Sequence, residues 1–199
     1  KLAVKRLRIY IKSSDHAKAV ASELYIMSKL SHPHIIPFTG FFLFDGFPAI
    51  VTPWISGGSL RNAIDLGRLD SSSETALRIA FKIASGLSYL HDKKALHCDI
   101  KSDNILLSMG GDPILVDFGL SRLSEYSIQI NYSNHSSGSF RWAAKELLGD
   151  GACHTKETDV WAYGMVIYEV LTHKVPYFQK RIDIQVLASL IAGEIPIWP

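Results

Sequence analysis

The chain has 199 residues, 47% hydrophobic and 20% charged, enough apolar material for one packed domain and too much for a disordered chain. A net charge of +2 without any basic run excludes the electrostatic footprint of a nucleic-acid binder. The two cysteines make no disulfide framework and fit a reducing, intracellular and cytoplasmic setting, and the longest apolar stretch, Val160 to Leu171, is too short and too polar to span a bilayer.

Lys1 to Tyr10 alternates, with Ala3, Lys5, Leu7 and Ile9 on one face, as in a half-buried strand. Lys5 thus points the same way as apolar neighbours. Ser13-Ser14-Asp15 is a helix start, followed by Val20, Leu24, Met27 and Leu30 at helical spacing. Glu23 falls on that apolar face, where a carboxylate needs a cation, and Lys5 is the nearest misplaced one. On spacing alone, two solvated surface charges are an equal alternative. Pro33 disfavours further helix, and Ile35 to Phe44 and Phe47 to Thr52 read as strands joined by an Asp45-Gly46 turn.

The turn-rich stretch 53–58 reads as a linker between a strand-rich part, 1–52, and a helix-rich part, 59–199. A cleft between two such lobes is a favoured ligand site. Ser71 and Glu74 have capping-box spacing and open a helix with Leu77, Ala80, Ala84, Leu87 and Leu90 on one face. Ala95-Leu96, Ile105 to Leu107 and Ile114 to Val116 read as short strands. The stretch 121–138 is polar and without periodicity, a long loop of the kind that is functional or mobile. Asp159 to Leu171 is apolar nearly all round, as a buried helix is, and Ile184 to Ile191 is a shorter last helix before an apolar tail.

Two stretches carry chemistry. His97-Cys98-Asp99-Ile100-Lys101-Ser102-Asp103-Asn104 places an acid, a lysine and an amide in one loop, and Val116-Asp117-Phe118-Gly119 supplies another acid. An acid to orient a hydroxyl, a cation for a phosphoryl oxygen and oxygen ligands for magnesium are the parts that phosphoryl transfer requires.

With these motifs in this order, the chain resembles the eukaryotic protein kinases over essentially its whole length. Ala3-Val4-Lys5 looks like the strand lysine motif, Glu23 like its helix partner, and His97 to Asn104 like the catalytic loop. Asp117-Phe118-Gly119 looks like the metal-binding triplet, Ala144-Lys145-Glu146 like the close of the activation segment, and Asp159 to Gly164 like the start of the central helix. The resemblance implies an α+β, two-lobed fold, with a small β-rich N-lobe and a larger, mainly helical C-lobe. It implies ATP and Mg2+ as cofactors and a protein with a Ser or Thr acceptor as partner. Asp99 would orient the acceptor hydroxyl, Lys101 neutralise charge on the moving phosphoryl group, and Asn104 and Asp117 hold magnesium. Lys5, steadied by Glu23, would bind the α- and β-phosphates. Thr52 takes the gatekeeper position, Pro53 and Ile55 supply a carbonyl and an N–H to adenine, and Ala3 and Leu106 sandwich it. Met27, Phe38, His97 and Phe118 would stack as an internal spine. Lys101, two residues after the acid, and Gly138 to Trp142 resemble the tyrosine-kinase-like Ser/Thr type, with Ser139 in reach of Asp99 and Lys101.

The chain departs from the family pattern in places. Cys98 stands where most members have an arginine that pairs with an activation-loop phosphate, so activity is expected to depend little on phosphorylation at Tyr126, Ser127, Ser133, Ser136 or Ser137. Lys145 replaces a proline. No Gly-x-Gly-x-x-Gly precedes Lys1 and the family's last helices do not follow Pro199, so the expectation is a domain truncated at both ends, with weak nucleotide binding and exposed apolar surface. The rival reading is a pseudokinase or fragment acting as a binding or scaffolding module, against which the joint presence of Lys5, Glu23, Asp99, Lys101, Asn104 and Asp117 argues. A small-molecule phosphotransferase fits less well with Lys101, Ala144 to Glu146 and the Asp159 helix. His91, His97 and His154 near the cysteines lack zinc-ligand spacing.

Overall fold

The computed structural model describes residues 1–7, 14–70, 72–118, 139–149 and 151–199, without the side chains of residues 15, 16, 19, 22 and 23. The expectations for Ile9, Ser13, Ser71, Gly119, the loop 121–138 and its phosphorylation candidates lie outside the described residues. So does anything about the Glu23 side chain.

Alternating residues near the start form β1 (Leu2–Arg6), followed by helix α1 (Ser14–Lys29). Two further strands, β2 (Gly40–Phe44) and β3 (Phe47–Pro53), complete an antiparallel sheet in the order β1-β3-β2. Asp45 and Gly46 both take positive φ, 49° and 78°, the backbone of a tight hairpin turn whose twist suits the flanking strands. Val20, Leu24 and Met27 of α1, and Leu30 just after it, are all buried, as their spacing predicts. The predicted strand from Ile35 is shorter, beginning only at Gly40. Pro37 has no N–H to donate, and the backbone just before it is spent elsewhere: Ile36 N donates to Leu115 O and Leu115 N to His34 O, both at 2.9 Å. Those bonds tie the strand-rich part to the helix-rich part.

Beyond the linker come α2 (Leu60–Asp65) and α3 (Ser73–Asp92), then a two-stranded antiparallel sheet of β4 (Ile105–Leu107) and β5 (Pro113–Leu115). Helices α4 (Lys156–Thr172) and α5 (Asp183–Ile191) follow. This is the expected α+β arrangement of a small antiparallel sheet beside a mainly helical part. The linker is drawn tight against β4: Leu107 N donates to Gly58 O at 2.9 Å, and a Cβ on Gly57 would lie 2.2 Å from Leu107 O. Only glycine fits that approach.

Several details differ from the sequence expectation. Helix α3 is capped by Ser72, whose hydroxyl accepts from Thr75 N. Its buried stripe is Ile79, Ile83, Gly86, Leu87 and Leu90, while Leu77 is exposed. The stripe is turned because α3 packs against both β5 and α4. Ala95-Leu96 is no strand, since Ala95 N closes the end of α3 on Leu90 O instead of joining a ladder. Helix α2 is too short to show a periodicity, so nothing in the sequence announces it. Helix α4 starts earlier than Asp159, at a Thr155 cap with a reciprocal Thr158 bond, and leaves Val160 and Leu171 exposed. One hydrophobic core nonetheless runs from Leu24 and Met27 through Phe118 to Val166 and Val170. Among the described residues, no helix is long and apolar enough to cross a membrane.

Candidate active site

The loop 97–104 lies between α3 and β4 and is held from beneath by Asp159 in the first turn of α4. That carboxylate, only 2% exposed, accepts from His97 N, Cys98 N and His91 Nε2, each at 2.9 Å. Cys98 takes φ 68° and Asp117 takes φ 65°, both in the left-handed region that non-glycine residues enter at a cost. Two charge-assisted bonds, donated to Asp159 by consecutive amides, stabilise the first of these turns.

The loop presents Asp99 to solvent with its carboxylate one-third exposed. Asn104 Nδ2 donates both to Asp99 O at 2.8 Å and to Asp99 Oδ2 at 2.7 Å. Lys101 Nζ sits 2.9 Å from Asp99 Oδ2 and donates to Ser139 Oγ at 2.9 Å. Acid, amide, lysine and serine therefore form one cluster, from two segments that only the fold brings together. Both amide hydrogens of Asn104 are spent on Asp99, so its side-chain oxygen is the atom left for a cation.

His97 is fully buried and packs edge-on to Phe118, with ring centroids 6.3 Å apart. Burial pushes its pKa down despite the nearby carboxylates of Asp159, Asp99 and Asp117, which keeps the ring neutral. Its Nδ1 accepts from Asp99 N at 3.4 Å, and its Nε2 is buried with no hydrogen-bond partner among the described residues. Met27 and Phe118 are buried in the same core, with Phe38 packed against it.

From the strand-rich part, Lys5 Nζ meets Asp117 Oδ2 at 2.6 Å. Glu23 belongs to α1, and its side chain is outside the described residues. Among the described residues, the carboxylate that Lys5 touches is Asp117. Ala3 lies directly opposite Thr52, and Leu2 opposite Pro53, in the β1–β3 register. Ile55 packs against the core from the linker, and Leu106 is bridged to Ser59 at the linker's far end. A shallow pocket beside Asp99 is lined by Cys98, Ser139, Trp142, His154 and Asp159 among others.

A buried group that the sequence did not single out is Glu169 of α4, which contacts Arg61, Ser102 and Trp142. Its signal in the sequence is a charged residue inside an otherwise apolar run.

Residues 1–194 match the family described as protein kinase domain. The chain belongs to that family. Relatives of this kinase domain include the mouse serine/threonine-protein kinase A-Raf, 33% identical over 178 residues, covering 88% of this chain and 29% of the relative. The human serine/threonine-protein kinase TNNI3K is 34% identical over 181 residues, covering 88% of this chain and 21% of its own length. The Dictyostelium discoideum probable serine/threonine-protein kinase drkD is 33% identical over 185 residues, with 88% of this chain and 14% of the relative covered. The chain spans less than a third of each of these curated relatives.

Proposed function

We propose that this kinase domain transfers the γ-phosphoryl group of ATP to Ser or Thr hydroxyls of protein substrates. The observation that carries the reading is the Asp99 carboxylate, held by Asn104 and Lys101 while Lys101 also reaches Ser139. Asp99 accepts or orients the proton of the acceptor hydroxyl, and its partners fix the carboxylate so that little reorganisation is needed at reaction. Lys101 offsets negative charge on the moving phosphoryl oxygens. Lys5 binds the α- and β-phosphates, exchanging its contact with Asp117 for phosphate oxygens, with Glu23 as its helix partner.

The donor set suits magnesium, a hard cation that takes oxygen ligands. Asp117 offers a partly exposed carboxylate, and Asn104 an amide oxygen whose hydrogens are already committed. Bound there, the ion would neutralise phosphate charge. Thr52, Pro53 and Ile55 line the adenine side of the cleft, with Ala3 and Leu106 on its two faces. The lobe division at 53–58, protein substrates and a cytoplasmic setting belong to the same reading.

The test is transfer of radiolabelled γ-phosphate to a generic Ser/Thr protein substrate by the chain and by Asp99→Asn. Asp99 is partly exposed, so the variant keeps its melting temperature, and its transfer falls by about three orders of magnitude, the middle of the range for a general-base contribution. Equal rates in the two proteins would sink the reading and leave the domain a nucleotide-binding or scaffolding module.

A further inference from the structure

Behind the cleft, one buried carboxylate reaches both of the loops that meet at Lys101. Glu169 is fully buried on α4. Its Oε1 accepts from Ser102 Oγ at 2.8 Å and from Arg61 Nη1 at 2.9 Å, and its Oε2 accepts from Trp142 Nε1 at 2.7 Å. Ser102 is the residue after Lys101. Trp142 closes the helical turn Ser139–Trp142 that Ser139 opens. Since Lys101 Nζ donates to Ser139 Oγ, the bonds form a closed circuit from Glu169 through Ser102, Lys101, Ser139 and Trp142 back to Glu169.

An ionised carboxylate suits the centre of this circuit, because every neighbour is a donor and it has no proton of its own to place. Arg61, from α2 and itself held by Asp65, is the charged group that faces it; Ser102 and Trp142, from the other two segments, are neutral. Each oxygen serves a different loop, so the carboxylate sets how far apart the two loops stand. The Lys101–Ser139 bond spans that same gap on the cleft side.

We propose that Glu169 is a positioning residue for phosphoryl transfer, holding the catalytic loop and the Ser139–Trp142 turn at the spacing that keeps Lys101 across Asp99 and Ser139. The inference rests on the phosphoryl-transfer reading above. Glu169 touches no reacting atom, and it acts through Ser102 and Trp142. Burial pushes its carboxyl up to about 7, so the centre of the circuit changes charge near neutrality. Once protonated, it presents a donor to a ring of donors, and the circuit loosens.

Two variants break the same link from opposite sides. Glu169→Gln keeps the shape and an acceptor for Arg61 and Ser102, but turns an amide N–H toward the Trp142 N–H. Trp142→Phe removes that indole N–H while keeping an aromatic ring. In the full chain, each variant lowers kcat on the order of tenfold while KM for ATP stays within about twofold. The double variant is no slower than either single one, since the link is already broken. A fall in wild-type kcat on acidification through about pH 7 is missing from Glu169→Gln. A readout independent of turnover is amide hydrogen exchange, which speeds up jointly at residues 99–104 and 139–142 in both variants and stays unchanged in β1 and β3.

Multiplicative losses in the double variant, an effect on KM alone, or faster exchange in just one of the two loops would overturn the proposal. A wild-type chain that transfers no phosphoryl group fails the functional reading instead, and the exchange data still decide whether Glu169 holds the two loops together.

Discussion

Lys5 in the first strand and Asp117 after β5 meet at 2.6 Å, so the strand-rich and helix-rich parts touch through opposite charges. Both side chains are partly exposed, and on the proposed function the contact is exchanged for phosphate and magnesium. Replacing Lys5 by Met is expected to weaken ATP affinity by on the order of tenfold or more, the loss of one charge-assisted phosphate contact. Asp117→Asn should instead remove the increment that magnesium adds to the nucleotide-induced thermal shift. Calorimetry with ATP and thermal shifts with and without magnesium check the pair, and an unchanged magnesium increment in Asp117→Asn would remove Asp117 from the metal site.

Asp159 makes the loop 97–104 depend on α4. Its replacement by Ala strands the buried amide of His97 and the half-buried amide of Cys98 and leaves the strained turn at Cys98 without support. The expected loss is roughly 3 kcal/mol or more, the cost of unsatisfied buried donors to a charged acceptor. Asp159→Asn keeps one acceptor and should lose less. Urea unfolding of the three proteins measures this, with the order wild type, Asn, Ala as the required result.

Glu169 gives stability a pH dependence of defined sign. In the folded chain burial holds its proton up to about pH 7, against an ordinary value of 4.5. Between those limits the native state binds more protons than the unfolded chain, so this residue's contribution falls as pH rises and is level above about 7. The decline across that window is at most roughly 3 kcal/mol. Subtracting the unfolding free energies of Glu169→Gln from those of the wild type at successive pH values isolates it. A difference that rises with pH would contradict the burial argument.

Gly57 and Gly40 make a matched pair. A Cβ at Gly57 would meet the backbone oxygen of Leu107 at 2.2 Å, whereas one at Gly40 meets nothing within 4 Å. Gly57→Ala must push the linker away from β4 and is expected to cost about 1–3 kcal/mol, as overpacking does. Gly40→Ala should be tolerated. Thermal melts compare the two directly, and similar losses would argue against a linker clamped to β4.

Much of the fold is legible in the chain itself. The apolar spacing of Val20, Leu24, Met27 and Leu30 predicts the buried face of α1 because helical period and burial are both local regularities. Phe47 onward reads as a strand for the same kind of reason, and the Asp45-Gly46 turn announces its own hairpin. The exposure of Leu77 is not legible, because the direction in which α3 faces is chosen by β5 and α4, not by its own residues. The strand reading of Ile35 to Thr39 fails because the backbone at its start bonds to Leu115, a partner distant in sequence.

The site divides along the same line. The sequence by itself determined the local set, Asp99, Lys101 and Asn104 in one loop and Asp117 in another, because a short loop fixes which side chains can converge. The family resemblance already puts Ser139 in reach of Lys101, whereas only the tertiary structure decided that Lys5 meets Asp117 and that Glu169 holds the loop 97–104 from below. Those are contacts between segments far apart in the chain, made where buried carboxylates find donors that no spacing rule can name.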